Sequence, residues 1–269
     1  MRFFKKFLGK EMKEKSLPGI NGPSISFCTT CMGRLWQLEQ TLLQNIEQNR
    51  HVQGVEFVLL NYNSPDSLDT WAQNHLRKYI EEGILNYYRT TEPTHFHMSH
   101  AKNVALKLAR GEIVCNVDAD NFLEEEFVQG TLEKFRQKGL AIICKIRWSP
   151  ENTGLTGRIA ISKGNFLRLG GYDESFKPMG FQDVDFLERA KRLGIKCYDI
   201  CPTGARIDNS KEEKVELCEP LGMNWYEMNE YNRQKGEENL RNRKYIANEN
   251  KEWGKATLIK NFSERVFLF

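Results

Sequence analysis

The sequence lacks several features that would point to particular protein classes. It contains no run of about 18 apolar residues, the length that a membrane-spanning helix needs. Its seven cysteines are scattered, and the pair Cys28 and Cys31 is followed by no second pair or histidine at zinc-binding spacing. A structural zinc site is therefore not expected. Four of the other thiols, Cys115, Cys144, Cys197 and Cys201, lie in or beside apolar segments and are expected to be reduced core residues of an intracellular protein. The net charge of +3 is too small to suggest nucleic-acid binding.

Residues 1–15 are basic and rich in phenylalanine, but their apolar part is too short and interrupted for a secretory signal. They could lie on an anionic membrane surface as an amphipathic helix, or pack on the domain, or fray. We therefore predict a cytoplasmic protein with a possible peripheral contact at the inner membrane face.

From residue 24 the chain alternates short apolar runs with segments of helical periodicity. The runs predicted as strands are residues 24–29, 55–60, 84–88, 112–118, 140–146 and 158–162. Such alternation predicts an α/β fold with a mostly parallel sheet and helices on both faces. After about residue 210 Lys, Glu, Asn and Arg dominate, so we divide the chain into a basic segment (1–23), an α/β domain (24–210) and a polar helical extension packed on the core (211–269).

Two carboxylates, Asp118 and Asp120, follow the buried run that begins at Glu112. Acidic side chains at the end of a buried strand are costly unless a positive charge lies between them. A hard divalent cation, Mn²⁺ or Mg²⁺, prefers such oxygen ligands and can bridge substrate phosphates. The alternative is an acidic strand end with a helix cap. Because ligands of open parallel sheets bind outside the carboxyl ends of the strands, the site is expected at this edge.

A further carboxylate, Asp183, stands at the predicted start of a helix, after Gly180 and Gln182. A carboxylate at this position is stabilised by the helix dipole, which favours a capping role. Directed into a cleft, the same group could act as a general base toward a sugar hydroxyl. Both interpretations remain open at this point.

The order of these motifs resembles a GT-A glycosyltransferase of the family 2 type, and the second half also resembles the β-1,4-galactosyltransferase group. The motifs that carry the resemblance span about residues 24–213, and they are Arg34 after the first strand, Asn61-Tyr-Asn-Ser-Pro-Asp66, Ser99-His-Ala-Lys-Asn103, Asp118-Ala-Asp120, Gly170-Gly-Tyr-Asp173 and Gly180-Phe-Gln-Asp183. The resemblance rests on all six motifs occurring in the order that the family has.

The resemblance assigns roles to individual residues. It implies that Asp118, Ala119 and Asp120 form the D-x-D motif that holds Mn²⁺ on the nucleotide diphosphate, and that Asp183 is the catalytic carboxylate. The residues that it places along the nucleotide or near the donor are Thr29, Thr30, Arg34, Asn61, Asn63, Lys102 and Asn103. The residues that it places toward the sugar or the acceptor are Gly171, Tyr172 and Gln182.

Three positions depart from the family pattern. Asn61 stands where an Asp commonly reads the base, and Gln182 stands where an acid is more usual. The chain also has no histidine beyond His100 to serve as the third metal ligand, and Asp208 is the aligned candidate. Alternatively, Asp208 is an ordinary loop residue beside a turn.

The predicted function is metal-dependent, inverting transfer of a hexose or N-acetylhexosamine from a nucleotide sugar to a hydroxyl of a glycan or glycolipid, as in polysaccharide assembly. A UDP-sugar is the expected donor. Two alternatives are a sugar-phosphate nucleotidylyltransferase and a non-catalytic nucleotide-sugar-binding protein. A nucleotidylyltransferase needs a glycine-rich basic loop after the first strand, but residues 29–34 contain only one glycine. The non-catalytic binding protein is suggested by Asn61 and Gln182.

Overall fold

The computed structural model describes residues 24–200 and 204–269. The basic, phenylalanine-rich segment lies outside the described residues, as does Cys201, so the predicted membrane contact stays a prediction. None of the described helices is long and apolar enough to cross a membrane.

In the described part of the chain, nine strands form one sheet. They are β1 (Ile25–Cys31), β2 (Val55–Tyr62), β3 (Leu85–Thr90), β4 (Ile113–Asn116), β5 (Ile142–Ile146), β6 (Ile159–Ser162), β7 (Lys196–Ile200), β8 (Ala256–Lys260) and β9 (Glu264–Leu268). Their order across the sheet is β7-β5-β6-β4-β1-β2-β3-β8-β9.

The same ranges contain nine α-helices and one 3₁₀ helix, at Pro150–Leu155. The α-helices are α1 (Leu35–Asn49), α2 (Leu68–His75), α3 (Arg77–Glu81), α4 (Met98–Leu108), α5 (Glu125–Lys138), α6 (Lys163–Arg168), α7 (Gln182–Arg192), α8 (Lys211–Val215) and α9 (Trp225–Arg241). Apolar residues of both sheet faces are buried against these helices in two large clusters, one including Leu38 and Phe127 and the other including Val104 and Phe186.

The sheet is mixed, so the prediction of a mostly parallel sheet is wrong. Strands β4, β1, β2 and β3 are parallel neighbours, as the alternation of strands and helices predicts. Strand β6 runs antiparallel to both β4 and β5, and β8 runs antiparallel to β3. An apolar run shows that a segment is a buried strand, but the direction of its neighbour depends on how the connecting chain returns.

The composition of the C-terminal segment predicts a polar helical extension in which only residues 266–269 have a strand-like pattern, and the structure contains more strand than this. The segment contains α8 and α9 but ends in the hairpin β8–β9, which adds to the edge of the sheet beside β3. Within β8, Ala256 and Leu258 are buried while Ile259 is exposed, an alternation too short to recognise within a polar sequence. Pairing with β3, rather than local pattern, determines this structure.

Candidate active site

A cavity of about 450 Å³ opens at the carboxyl ends of β1 and β4, beside the start of α7. Its lining comes from distant parts of the chain, namely residues within 30–34, 96–102, 118–120, 154–157, 179–184, 209–217 and 225–229. Of the predicted site residues, those that line it are Thr30, Arg34, Lys102, Asp118, Ala119, Asp120, Gln182 and Asp183. The structure therefore has a cavity at the edge of the sheet where the sequence predicts a ligand site.

The loop after β4 carries Asp118 and Asp120, and side chains of α1 stabilise it through hydrogen bonds. The hydroxyl of Thr41 donates a hydrogen bond to the carbonyl of Ala119 (2.7 Å), and the amide of Asn45 donates to the carbonyl of Asn121 (2.9 Å). Both side chains are buried. Polar residues on the buried face of an amphipathic helix thus satisfy loop carbonyls that would otherwise be buried without partners.

The two carboxylates of this loop have different surroundings. Asp118 accepts a hydrogen bond from the amide of Asn116 (2.8 Å). Asp120 accepts one from Asn121 (2.7 Å) and a short one from Asn209. Burial, together with the nearby charge of Asp118, raises the pKa of Asp120 to about 6. Two neighbouring carboxylates in a partly buried place repel each other, and a cation would relieve that repulsion.

Lys102 connects this pair to Asp183. Its ammonium group lies 2.8 Å from Asp183 Oδ1 and 3.9 Å from Asp118 Oδ1, and its side chain is 2% exposed. Burial lowers the pKa of Lys102, but the charges of Asp183 and Asp118 outweigh this and raise it. The lysine is therefore a fixed buried cation that orients the Asp183 carboxylate.

Gly157 lies opposite these three charged groups. A Cβ atom on this residue would lie 3.1 Å from Asp118 Oδ2, 3.1 Å from Asp183 Oδ2 and 3.4 Å from Lys102 Nζ. The Oδ2 atoms of the two carboxylates therefore face one small space, which remains open because residue 157 has no side chain.

A strained turn sets the start of α7. Gly180 has φ +95°, and a Cβ there would lie 2.6 Å from Asn229 Cβ. Phe181 follows with φ 67°, in the left-handed region that residues with a Cβ seldom adopt. The amide of Gln182 donates to the carbonyl of Lys177 (3.0 Å), while its buried Oε1 has no hydrogen-bond partner. The turn directs Gln182 and Asp183 toward the cavity.

Asn209, rather than the predicted Asp208, contacts the D-x-D loop. Asp208 pairs with Arg206 (2.9 Å), and its side chain is 84% exposed. Asn209 donates to Asp120, and its Oδ1 accepts hydrogen bonds from Arg34 (3.1 Å) and Gln37 (2.7 Å). These two donors fix the amide orientation, so the oxygen of Asn209 faces away from Asp120.

Asn61 and Asn63, which the sequence predicts to lie along the nucleotide, support a turn and do not line the cavity. Asn61 is buried, its amide group donates to the hydroxyl of Tyr87 (2.9 Å), and its oxygen accepts from the backbone of Ser64 (2.8 Å). Asn63 has φ 53° and donates to the carbonyl of Pro93 (2.7 Å). Thr29, at the end of β1, is also buried outside the lining.

Asn103, Gly171 and Tyr172 also lie beneath the cavity. The side chain of Asn103 donates to the carbonyl of Tyr172 (2.9 Å) and accepts from its backbone N–H (2.8 Å), which ties this loop to α4. A Cβ on Gly171 would lie 2.4 Å from Asn103 Oδ1. The Tyr172 ring lies 5.3 Å below Lys102 Nζ, and burial with the nearby Asp183 charge raises its pKa. Of the three residues, Tyr172 is the one that packs against Lys102 and lies near Asp183.

The family model described as "Glycosyl transferase family 2" matches residues 26–213. The chain belongs to glycosyl transferase family 2. No curated protein has a sequence that matches this glycosyltransferase. The predicted likeness of its second half to the β-1,4-galactosyltransferase group stays a prediction.

Several solved structures have a similar fold. The mannosyltransferase PcManGT from Pyrobaculum calidifontis, in complex with GDP-Man and Mn²⁺, is 19% identical, with a TM-score of 0.53 over 73% of this chain and 61% of that chain. TarS 1–349 from S. aureus in complex with UDP-GlcNAc is 15% identical, with a TM-score of 0.57 over 71% and 60%. The same fragment with UDP is 16% identical, with a TM-score of 0.56 over 72% and 63%.

These likenesses, at under 20% identity, support the fold and no finer property. The matched region covers 60 to 63% of the length of those chains. The donor, the acceptor and the chemistry of the present glycosyltransferase must therefore be argued from its own residues.

The two carboxylates after β4 of this glycosyltransferase suit a hard cation. Asp118 and Asp120 supply carboxylate oxygens, the ligands that Mn²⁺ and Mg²⁺ prefer. Among the described residues, no group of three or more His, Cys, Asp or Glu side chains is arranged to hold a metal ion. A cation held by two carboxylates and by substrate phosphates is the typical arrangement for Mg²⁺.

Sequence reasoning missed Gly157, Asn209 and the lysines Lys211 and Lys214, which all line the cavity. Gly157 follows no recognisable motif, and the other three belong to a polar stretch that reads as solvent-exposed. No local signal marks them, because what brings them to the site is the return of the chain across the sheet edge.

Proposed function

We propose that this family 2 glycosyltransferase transfers a hexose or N-acetylhexosamine from a UDP-sugar to a hydroxyl group of a glycan or glycolipid, with inversion and with a divalent metal. One observation carries the proposal. Asp118 and Asp183 direct their Oδ2 atoms toward the same space beside Gly157, with the buried Lys102 between the two carboxylates. That space suits an anomeric carbon, with the leaving group on the Asp118 side and the attacking hydroxyl on the Asp183 side.

Asp118 and Asp120 are the residues that would hold the cation. Bound Mn²⁺ or Mg²⁺ would neutralise negative charge on the departing diphosphate. The raised pKa of Asp120, caused by burial and by the charge of Asp118, supports this assignment, because a cation held between the two carboxylates would offset their repulsion.

Asp183 is proposed as the general base. Its Oδ1 is held by Lys102 (2.8 Å), so Oδ2 is the atom that accepts the proton of the acceptor hydroxyl. One in-line displacement by that hydroxyl inverts the anomeric centre. Lys102 serves as a positioning residue, and Gln182, with its unpartnered Oε1, is proposed to face the sugars.

Thr30, Arg34 and Ala119 line the cavity and are proposed to contact the nucleotide. Asn61 and Asn63 would act through the turn that they stabilise, since their amide groups are engaged with Tyr87, Ser64 and Pro93. The UDP assignment for the donor draws on the neighbours that bind UDP or UDP-GlcNAc, and GDP-linked donors are its competitors.

The test is nucleotide release from a panel of UDP-, GDP-, dTDP- and CMP-sugars, with Mn²⁺ or EDTA. The wild type should hydrolyse a UDP-sugar slowly with Mn²⁺ only, and Asp120→Ala should abolish release. With an acceptor, Asp183→Asn should lower turnover by about 10²- to 10⁴-fold, the usual contribution of a general base.

Asp199→Asn is the matched control, because Asp199 is an ion-paired carboxylate on β7 outside the cavity lining. Full turnover by Asp183→Asn would move the base elsewhere. Release that is equal in Mn²⁺ and EDTA would contradict the metal assignment.

A further inference from the structure

The short helix α8 brings two lysines to the cavity wall. Lys211 and Lys214 are both half-buried and both line the cavity, one turn apart on the same helix face. A capping box between Ser210 and Glu213 defines the start of α8. The carboxylate of Glu213 accepts a hydrogen bond from the backbone N–H of Ser210 (2.7 Å).

The helix is anchored to the catalytic region at both ends. Just before it, Asn209 donates to Asp120 and accepts from Arg34. The guanidinium of Arg34 also donates to the carbonyl of Glu213, and beyond α8 the carbonyl of Leu217 accepts from the backbone of Phe96 (2.7 Å). Lys211 and Lys214 are therefore held in place at the site rather than on a free surface segment.

Neither lysine has a carboxylate within ion-pair distance among the described residues, whereas the nearby Lys102 lies 2.8 Å from Asp183. The ammonium group of Lys211 lies 3.6 Å from the ring centre of Trp225. Burial and the neighbouring charge of Lys214 lower the pKa of Lys211. Two half-buried like charges repel each other, and an anion bound beside them in the cavity would offset this repulsion.

The anion is identified by what lies next to the lysines. Lys211 and Lys214 line the same cavity as Asp118 and Asp120, the carboxylates proposed to hold the metal, and Asn209, just before α8, donates a hydrogen bond to Asp120. Phosphate oxygens accept strong charge-assisted hydrogen bonds from ammonium groups. Lys214 lies just beyond the family match, which ends at residue 213, so the family pattern does not assign it.

We infer that Lys211 and Lys214 form a phosphate subsite that binds the diphosphate of the nucleotide donor. This inference rests on the proposed function, since it names further residues for the same donor. Lys211 and Lys214 would contact the diphosphate from the C-terminal segment, and Asp118 and Asp120, after β4, would hold the metal. Product release then requires breaking ionic contacts to α8 as well as to the D-x-D loop.

The test compares ligands that differ only in phosphate, namely uridine and UDP with Mn²⁺, and adds inorganic pyrophosphate as a probe without a base. Binding is measured by calorimetry for Lys211→Met, Lys214→Met, the double variant and Lys214→Arg. Methionine keeps the apolar stem and removes the charge. Lys191→Met is the control, because Lys191 pairs with Glu188 at the far end of α7.

Each single Met variant should weaken UDP binding about tenfold and the double variant about 100-fold, as expected for loss of charge-assisted hydrogen bonds. Uridine binding should be unchanged, Lys214→Arg should restore most of the UDP affinity, and the control should match the wild type. Equal losses for uridine and UDP would indicate a packing role and overturn the inference.

Two further outcomes separate the inference from the proposed function. If UDP binding is unchanged and only the KM for a phosphate-bearing acceptor rises, the lysines bind the acceptor and the donor assignment is overturned. If the wild type binds pyrophosphate but neither uridine nor UDP, the UDP assignment fails. The dependence of pyrophosphate binding on Lys211 and Lys214 then decides the inference. Absence of binding by all three probes overturns both.

Discussion

Asp120→Asn should stabilise the metal-free protein while it abolishes function. The Asp120 carboxylate is largely buried beside Asp118, and its pKa is raised from 3.8 to about 6. The ionised form is therefore unfavourable in the folded state. A difference of about two pKa units corresponds to about 3 kcal/mol in the free energy of unfolding, and asparagine has no such cost.

The gain should depend on pH in a defined direction. Because the folded protein binds the Asp120 proton more tightly than the unfolded chain does, the stability of the wild type falls as the pH rises from about 4 to about 6. Above pH 6 the full cost is present. Asp120→Asn should therefore be more stable than the wild type by about 1 to 3 kcal/mol at pH 7.5, and only about a third of that gain should remain at pH 4.5. The lower end of the range allows for the asparagine NH₂ group, which must avoid the donors Asn121 and Asn209.

The assay is urea unfolding in EDTA at the two pH values, with Asp199→Asn as a matched change at a half-exposed carboxylate on β7. The control should show no gain at either pH. Addition of Mn²⁺ and UDP should then stabilise the wild type and leave Asp120→Asn unchanged, since ligand binding stabilises only the protein that binds. Equal or lower stability of Asp120→Asn at pH 7.5, or a difference that does not change with pH, would refute the reasoning.

Three further predictions concern the frame of the site. Gly157→Ala places a methyl group between Asp118 and Asp183, so kcat/KM should fall by about 10²-fold with little change in Tm, and unchanged kcat/KM would show that the substrate does not enter that space. Asn209→Ala should lower the Mn²⁺ affinity by about 10- to 100-fold, because Asn209 orients the Asp120 carboxylate, whereas Asp208→Ala should leave it unchanged. Titration calorimetry with Mn²⁺ measures both affinities, and a larger loss for Asp208→Ala than for Asn209→Ala would restore Asp208 as the ligand. Gly194→Ala should lower the free energy of unfolding by about 1 kcal/mol, because residue 194 has a φ of +78°. Gly170→Ala should lower it by about 2 to 3 kcal/mol more, because the added Cβ would lie 1.9 Å from the carbonyl oxygen of Ala247. Equal denaturation midpoints for the two variants would contradict this clash.

The part of the candidate site that could be predicted from the sequence consists of carboxylates, because an acidic side chain beside a buried strand has few roles other than binding a charged group. Two carboxylates after a buried strand, and another after a glycine turn, indicate a charged site, and the structure brings Asp118, Asp120 and Asp183 to one cavity with Lys102 among them. The assignments of Asn61 and Asn103 depended on motif alone. Asparagine stabilises turns and loops through the same hydrogen bonds with which it binds ligands, so its type does not reveal which use it has.

The fold shows the same division. The sequence by itself determined the parallel strands β4, β1, β2 and β3 and the helices between them, because hydrophobic periodicity and turn residues are local properties. Only the tertiary structure decided the antiparallel strands β6 and β8, the exposed place of Asp208, and the approach of Asn209, Lys211 and Lys214 to the cavity. Strand direction and long-range approach arise from how distant segments pack and pair, and no short stretch of sequence carries that information.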